Sequence, residues 1–113
     1  MFQSPFNRGP QVPETTVSET VAARDAGSAQ ILDVREPDEW AEGHIPDATH
    51  IPLGSLPLRT NELDAETPVI VVCRSGVRSL SGADILLKAG FGDAKSMAGG
   101  MIEWAASGQP VER

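Results

Sequence analysis

Apolar residues along this chain fall in short clusters separated by glycine, proline and charge, a spacing that suits alternating strands and helices. The firmest cluster is Val69-Ile70-Val71-Val72, four β-branched residues introduced by Pro68 with no polar position to mark a solvent face. That pattern predicts a strand buried on both sides of a parallel sheet. Ile31, Leu32 and Val34 predict a second interior strand, with Asp33 and Arg35 at its end, after which Pro37 starts a helical turn holding Trp40.

The remaining clusters fill in the alternation. Val12 to Thr16 suits a short strand, and Ser18 is then expected to cap a helix through Ala26, with Val21, Ala22 and Ala26 as its narrow apolar face and Gly27 as its end. Thr49 to Ile51 predicts an edge strand cut short by Pro52. Leu53, Leu56, Leu58 and Leu63 suit an irregular helix interrupted at Pro57. Leu80, Ala83, Ile85, Leu86 and Leu87 recur at helical spacing up to Gly90. Ala94 to Ala98 suits a last strand, Gly99-Gly100 a turn, and Met101 to Ser107 a last helix carrying Trp104. Parallel strands joined by helices make an α/β domain whose strand-to-helix loops share one side.

At 113 residues the chain fits a single domain, expected over residues 11–113 behind a flexible Pro-rich leader at 1–10. The opening MFQSPFNRGPQVPE lacks the basic start and apolar core of a secretory signal, so a cytoplasmic protein is expected. No apolar run approaches the roughly 18 residues of a membrane span. A net charge of −7 argues against nucleic acid or an anionic membrane as partner, because phosphates would be repelled at long range. Any anion site must therefore be local.

Chemistry concentrates in VIVVCRSGVRSLSG, residues 69–82. Cys73 is the only cysteine, which excludes an internal disulfide and a cysteine-rich zinc site. It stands where the strand ends and a helix begins, the position at which open α/β sheets bind ligands and at which unpaired N–H groups favour an anion. Arg74 and Arg78 would lower the thiol pKa together with the loop amides, and Gly76 would let the backbone turn so that successive N–H groups face the sulfur. Ser75 and Ser79 add hydroxyl donors, although Ser79 is read in the first place as the N-cap of the following helix. A cysteine in this setting is read as a reactive thiol rather than a small buried hydrophobe. His44 and His50 are read as hydrogen-bonded structural residues, Trp40 and Trp104 as packing residues, and neither a metal constellation nor a cofactor motif is visible.

Three blocks in order, ILDVREPDEWAEGHIPDATHIPL at 31–53, VIVVCRSGVRS at 69–79 and MAGGMIEWAASGQPV at 97–111, resemble the rhodanese domain family. The resemblance implies a three-layer α/β fold with a mostly parallel five-stranded sheet flanked by helices. It also implies a thiosulfate sulfurtransferase in which Cys73 becomes a persulfide and Arg74, Ser75, Gly76, Val77, Arg78 and Ser79 bind substrate. Asp33 and Arg35, in the DVR block, would support the loops. The implied partners are a small anionic sulfur donor, a thiol or cyanide acceptor and a sulfur-acceptor protein, with a monomer expected and no cofactor. Met101 stands where some relatives carry an aromatic, which bears on the pocket rim. The five-residue step from Cys73 to Arg78 resembles sulfurtransferases, whereas related phosphatases and arsenate reductases have one residue more. A non-catalytic interaction module is the alternative, and the intact cysteine loop speaks against it.

Overall fold

The computed structural model describes residues 11–113, and the expected leader at 1–10 lies outside them. Five short strands alternate with helices: β1 (Glu14–Thr15), α1 (Val17–Asp25), β2 (Gln30–Asp33), α2 (Pro37–Glu42), β3 (Thr49–His50), β4 (Val69–Val72), α3 (Arg78–Lys88), β5 (Ala94–Met97) and α4 (Gly100–Ala106). All pairings are parallel in the order β1-β5-β4-β2-β3. The VIVV cluster therefore forms the central strand, buried along its whole length, and Thr49–His50 forms an edge.

Period-two alternation divides the core into two layers. Val69 and Val71 of β4 face one side with Leu32, Val34, Leu56, Ala83 and Leu86, beneath α3. Ile70 and Val72 face the other with Val17, Ile31, Met97, Met101 and Trp104, beneath α1 and α4. Trp104 packs as expected, 1% exposed, and its indole N–H donates to the Pro110 carbonyl at 2.8 Å.

Three local expectations are corrected. Thr16, not Ser18, caps α1: its hydroxyl accepts from the Glu19 N–H at 3.0 Å while Glu19 accepts from the Thr16 N–H, a reciprocal box that starts the helix two residues earlier. That shift rotates the helix, so Val17 and Thr20 are buried while Ala22 and Ala26 are exposed. Pro57 does not break the leucine-rich segment; it lies inside a 3₁₀ turn over Leu53–Leu58, with a second turn at Thr60–Glu62. The turn is closed by the Arg59 N–H donating to the Leu56 carbonyl, so Pro57 occupies a position from which no N–H is required.

Helix α3 lies close on the sheet at Gly82. A Cβ there would stand 2.9 Å from Val71 Cγ1 and 3.4 Å from Val34 Cγ1, both stiff β-branched side chains of the core. Gly82→Leu is expected to push α3 off β4 and to lower stability by about 2–3 kcal/mol, read as a fall in the urea midpoint. An unchanged midpoint would mean that the helix seats differently.

Candidate active site

Cys73 follows β4 directly and continues the parity of Val69 and Val71, so its side chain enters the layer beneath α3 and is 1% exposed. The next residues must turn sharply from the strand into α3, and the contacts of their carbonyl groups decide how. The Cys73 carbonyl accepts from the Met101 N–H at 2.9 Å and the Arg74 carbonyl from the Ile102 N–H at 3.1 Å, both in the first turn of α4. Gly100 lies directly beneath, at φ +57, and a Cβ on it would collide with both carbonyl groups.

With those carbonyls turned to α4, amides further along the loop face the sulfur. Gly76, at φ +100, makes the reversal, and its N–H donates to Cys73 Sγ at 3.1 Å. The Ser79 N–H donates to the same sulfur at 3.3 Å, and the Ser79 hydroxyl lies 3.4 Å from it. Ser79 is thus not the helix cap. It sits in the first turn of α3, fully buried, while Val77 holds the N-cap position without a side-chain hydrogen bond.

Burial is the largest influence on the thiol and pushes its pKa up. The Ser79 hydroxyl and the N–H groups of Ser79, Gly76 and Ser75 together outweigh it, leaving the pKa below the ordinary thiol value. The sequence pattern assigned much of this to the arginines, and here the structure differs. Arg78 is not hydrogen-bonded to the sulfur: its two terminal nitrogens donate to the two oxygens of Glu39 at 2.7 and 2.8 Å, and it meets Cys73 only through charge. A guanidinium gains more from this planar two-bond pairing than from a sulfur already ringed by donors. The hydrogen bonds from Arg78 hold the Glu39 carboxyl down to about 2 despite its partial burial.

The other loop residues form a rim. Arg74 and Ser75 are exposed, and Val77 is 69% exposed. Arg74 also lines an open groove of about 290 Å³ with Arg35, Glu39, Met101, Val111 and Arg113, so Met101 does lie on a pocket wall. Asp33 and Arg35 form a buried pair, with Arg35 Nε 3.0 Å from both Asp33 oxygens and Nη2 at 2.8 Å from Oδ2. Arg35 also donates to the carbonyls of Glu39 at 3.2 Å and Gly43 at 2.8 Å. The pair therefore ties the end of β2 to α2, and α2 in turn carries the carboxylate that holds Arg78.

The histidines stand apart from the sulfur. Trp40 is half-buried between them, its ring stacked on His44 at 3.5 Å and on His50 at 4.7 Å. His44 Nδ1 bonds the Trp40 carbonyl at 3.0 Å and His50 Nε2 the Arg35 carbonyl at 2.8 Å. Among the described residues no group of three or more His, Cys, Asp or Glu side chains is placed to hold a metal ion, and no helix is long and apolar enough to cross a membrane.

Two residues of this arrangement are not among those the sequence singled out. Glu39 is one of several acidic residues in PDEWAE, and nothing local marks it as the partner of Arg78, 39 positions away. Ser96 bonds Ser79 Oγ at 2.6 Å from β5, and its signal was available: a polar residue at the inward parity of a strand.

Comparison with known proteins agrees with the geometry. A sulfurtransferase from Allochromatium vinosum is 38% identical over 96 residues, covering 83% of this chain and 90% of that protein. The thiosulfate sulfurtransferase GlpE of Pseudoalteromonas translucida is 32% identical, covering 87% of this chain and 94% of its own. The crystal structure of SSP1007 from Staphylococcus saprophyticus superposes with a TM-score of 0.79 at 32% identity, covering 89% of this chain and 99% of that one. Residues 16–107 match the rhodanese-like domain family, and with a parallel five-stranded sheet and relatives of this similarity the chain belongs to that family.

Proposed function

We propose that this chain is a sulfurtransferase that carries sulfane sulfur on Cys73. The observation that carries this reading is the convergence of the Gly76 N–H, the Ser79 N–H and the Ser79 hydroxyl on one buried sulfur where β4 gives way to α3. Donors aimed at sulfur itself suit an anion centred there, a thiolate before transfer and a persulfide after it. A phosphatase would need its donors around a tetrahedral oxyanion instead, and this loop directs them at the thiol. The names of the similar proteins from Allochromatium and Pseudoalteromonas support the same class.

With thiosulfate as donor, the Cys73 thiolate attacks the outer sulfur, the S–S bond of thiosulfate breaks, and sulfite leaves with the electron pair. The terminal sulfur of the persulfide is then attacked by cyanide or a thiolate, and Cys73 leaves as thiolate, so no external oxidant or reductant is needed. Asp33 and Arg35 support the site by bracing α2. Arg74 is the exposed cation at the rim and attracts the anionic donor within a chain of net charge −7. A cellular thiol or a sulfur-acceptor protein would take the sulfur from the same rim, at Val77 and Arg74.

Four outcomes are expected. Protein incubated with thiosulfate gains the mass of one sulfur on Cys73 and forms thiocyanate with cyanide, while Cys73→Ser folds normally and does neither; an unmodified Cys73 in the intact protein would sink the proposal. The rate of persulfide formation rises with pH and levels off below the ordinary thiol value of about 8.5, because the folded pKa is depressed and the thiolate is the reactant. Ser79→Ala removes a donor to the anion and so moves that limb to higher pH, and a limb that stays in place would remove Ser79 from the site. Arg74→Ala raises KM for thiosulfate several-fold at low ionic strength, with the difference fading in salt and kcat little changed.

A further inference from the structure

Ser96 takes no part in the reaction as written, yet it is a polar side chain with 0% exposure in the interior of β5. Strand parity explains where it points. Ser96 shares the face of Ala94, which packs in the layer with Val69, Val71 and Cys73 beneath α3, and it lies in register with Val71 on the neighbouring strand. Its Oγ is 2.6 Å from Ser79 Oγ, which is 3.4 Å from Cys73 Sγ. Two hydroxyls, from α3 and β5, thus form a line running inward from the sulfur that follows β4.

Each hydroxyl owns one hydrogen, so the direction of the line is tied to the state of the sulfur. With a thiolate, Ser96 donates to Ser79, Ser79 donates to sulfur, and both hydrogens have partners. With a thiol, the S–H points at Ser79 Oγ, Ser79 donates to Ser96, and the Ser96 hydrogen is turned away from Ser79, its only side-chain partner among the described residues. A buried hydroxyl hydrogen without a partner is costly, and a hydroxyl that itself accepts a hydrogen bond donates a stronger one.

We propose that Ser96 is a positioning residue for Cys73: by donating to Ser79 it commits the Ser79 hydrogen to the sulfur and favours the anionic form. This deepens the reading of Cys73 as nucleophile and rests on it only for its consequence in turnover. The charged groups around the sulfur are Arg74 on the loop, Arg78 on α3 with Glu39 of α2 paired to it, and Glu103 of α4 lying over Gly99. None is among the hydrogen-bond partners of the sulfur, and Lys95 of β5 has the opposite parity to Ser96. Ser96 therefore acts through Ser79 or not at all.

Titration of the intact protein tests this without any sulfur donor. The chain has one cysteine and no tyrosine, so thiolate absorbance in the ultraviolet reports Cys73 alone. In Ser96→Ala, Ser79 loses its donor and is free to rotate toward the carbonyl one turn back, so the midpoint is expected to rise by roughly half a unit. Alkylation at neutral pH slows accordingly, by about threefold. In a Ser79→Ala background the same change is expected to have no further effect. A midpoint unchanged in Ser96→Ala, or raised equally with and without Ser79, overturns the proposal. If Ser96→Ala fails to fold, Ser96→Thr and Ser96→Val, matched in shape and differing in the hydroxyl, carry the comparison. The valine variant is expected to titrate above the threonine one, and equal midpoints overturn the proposal. Failure of sulfur transfer itself would appear in the mass measurement on Cys73 and leave this titration untouched.

Discussion

The hydrogen bonds from the first turn of α4 to the carbonyls of Cys73 and Arg74 decide which way the amides after Cys73 point. In a trans peptide the C=O and N–H lie in one plane and point in opposite directions, so fixing a carbonyl also fixes the amide of the next residue. With the Arg74 carbonyl held toward Ile102, the Ser75 N–H faces the other way, and it joins the groups that lower the thiol pKa. Gly100 is the condition for this approach, since any side chain there would fall on the two carbonyls. The site is therefore built by the close seating of α4 beneath the loop as much as by the loop's own sequence.

The same geometry accounts for the division of labour among charges. Arginines near a thiol invite the inference that they stabilise its anion, and one of the two is instead bound to Glu39 through both terminal nitrogens. The hydrogen-bond partners of the sulfur are neutral: amides fixed by the backbone and a hydroxyl fixed by a second hydroxyl. In a buried site such dipoles interact more strongly than they would in water and need no rearrangement when charge appears. The Asp33–Arg35 pair, which ties β2 to α2, braces the helix whose Glu39 carboxylate binds Arg78.

Much of this was legible in the sequence, and the misses share one cause. Strands whose both faces are covered, such as VIVV, announce themselves by composition, and the lone thiol between Val72 and Arg74 marks where chemistry should be sought. Gly76 was readable because a tight reversal needs it. The cap of α1 was misjudged because Thr16, Ser18 and Thr20 are all acceptable N-caps locally, and only the reciprocal bond with Glu19 selects Thr16. The Glu39 partner of Arg78 was not legible because a side chain's partner can lie anywhere in the chain, and Glu39 is one of 16 acidic residues. Ser79 drew two readings, cap and site, and its burial beneath α3 against Ser96 selects the second place.

For the proposed carrier, neutral donors around the sulfur have a chemical advantage over a guanidinium bonded directly to it. The sulfur must act twice, first as a nucleophile toward the donor and then as a leaving group toward the acceptor. A thiol of very low pKa leaves readily but attacks poorly, because nucleophilicity falls with pKa. Burial pushes the pKa up while four hydrogen-bond donors push it down, so the two influences oppose each other and the net effect is a lowering, which favours the thiolate in both steps. An Arg78 freed from Glu39 and turned onto the sulfur would strengthen the second step at the expense of the first. The bidentate pair with Glu39 is in this view part of what keeps the two half-reactions balanced.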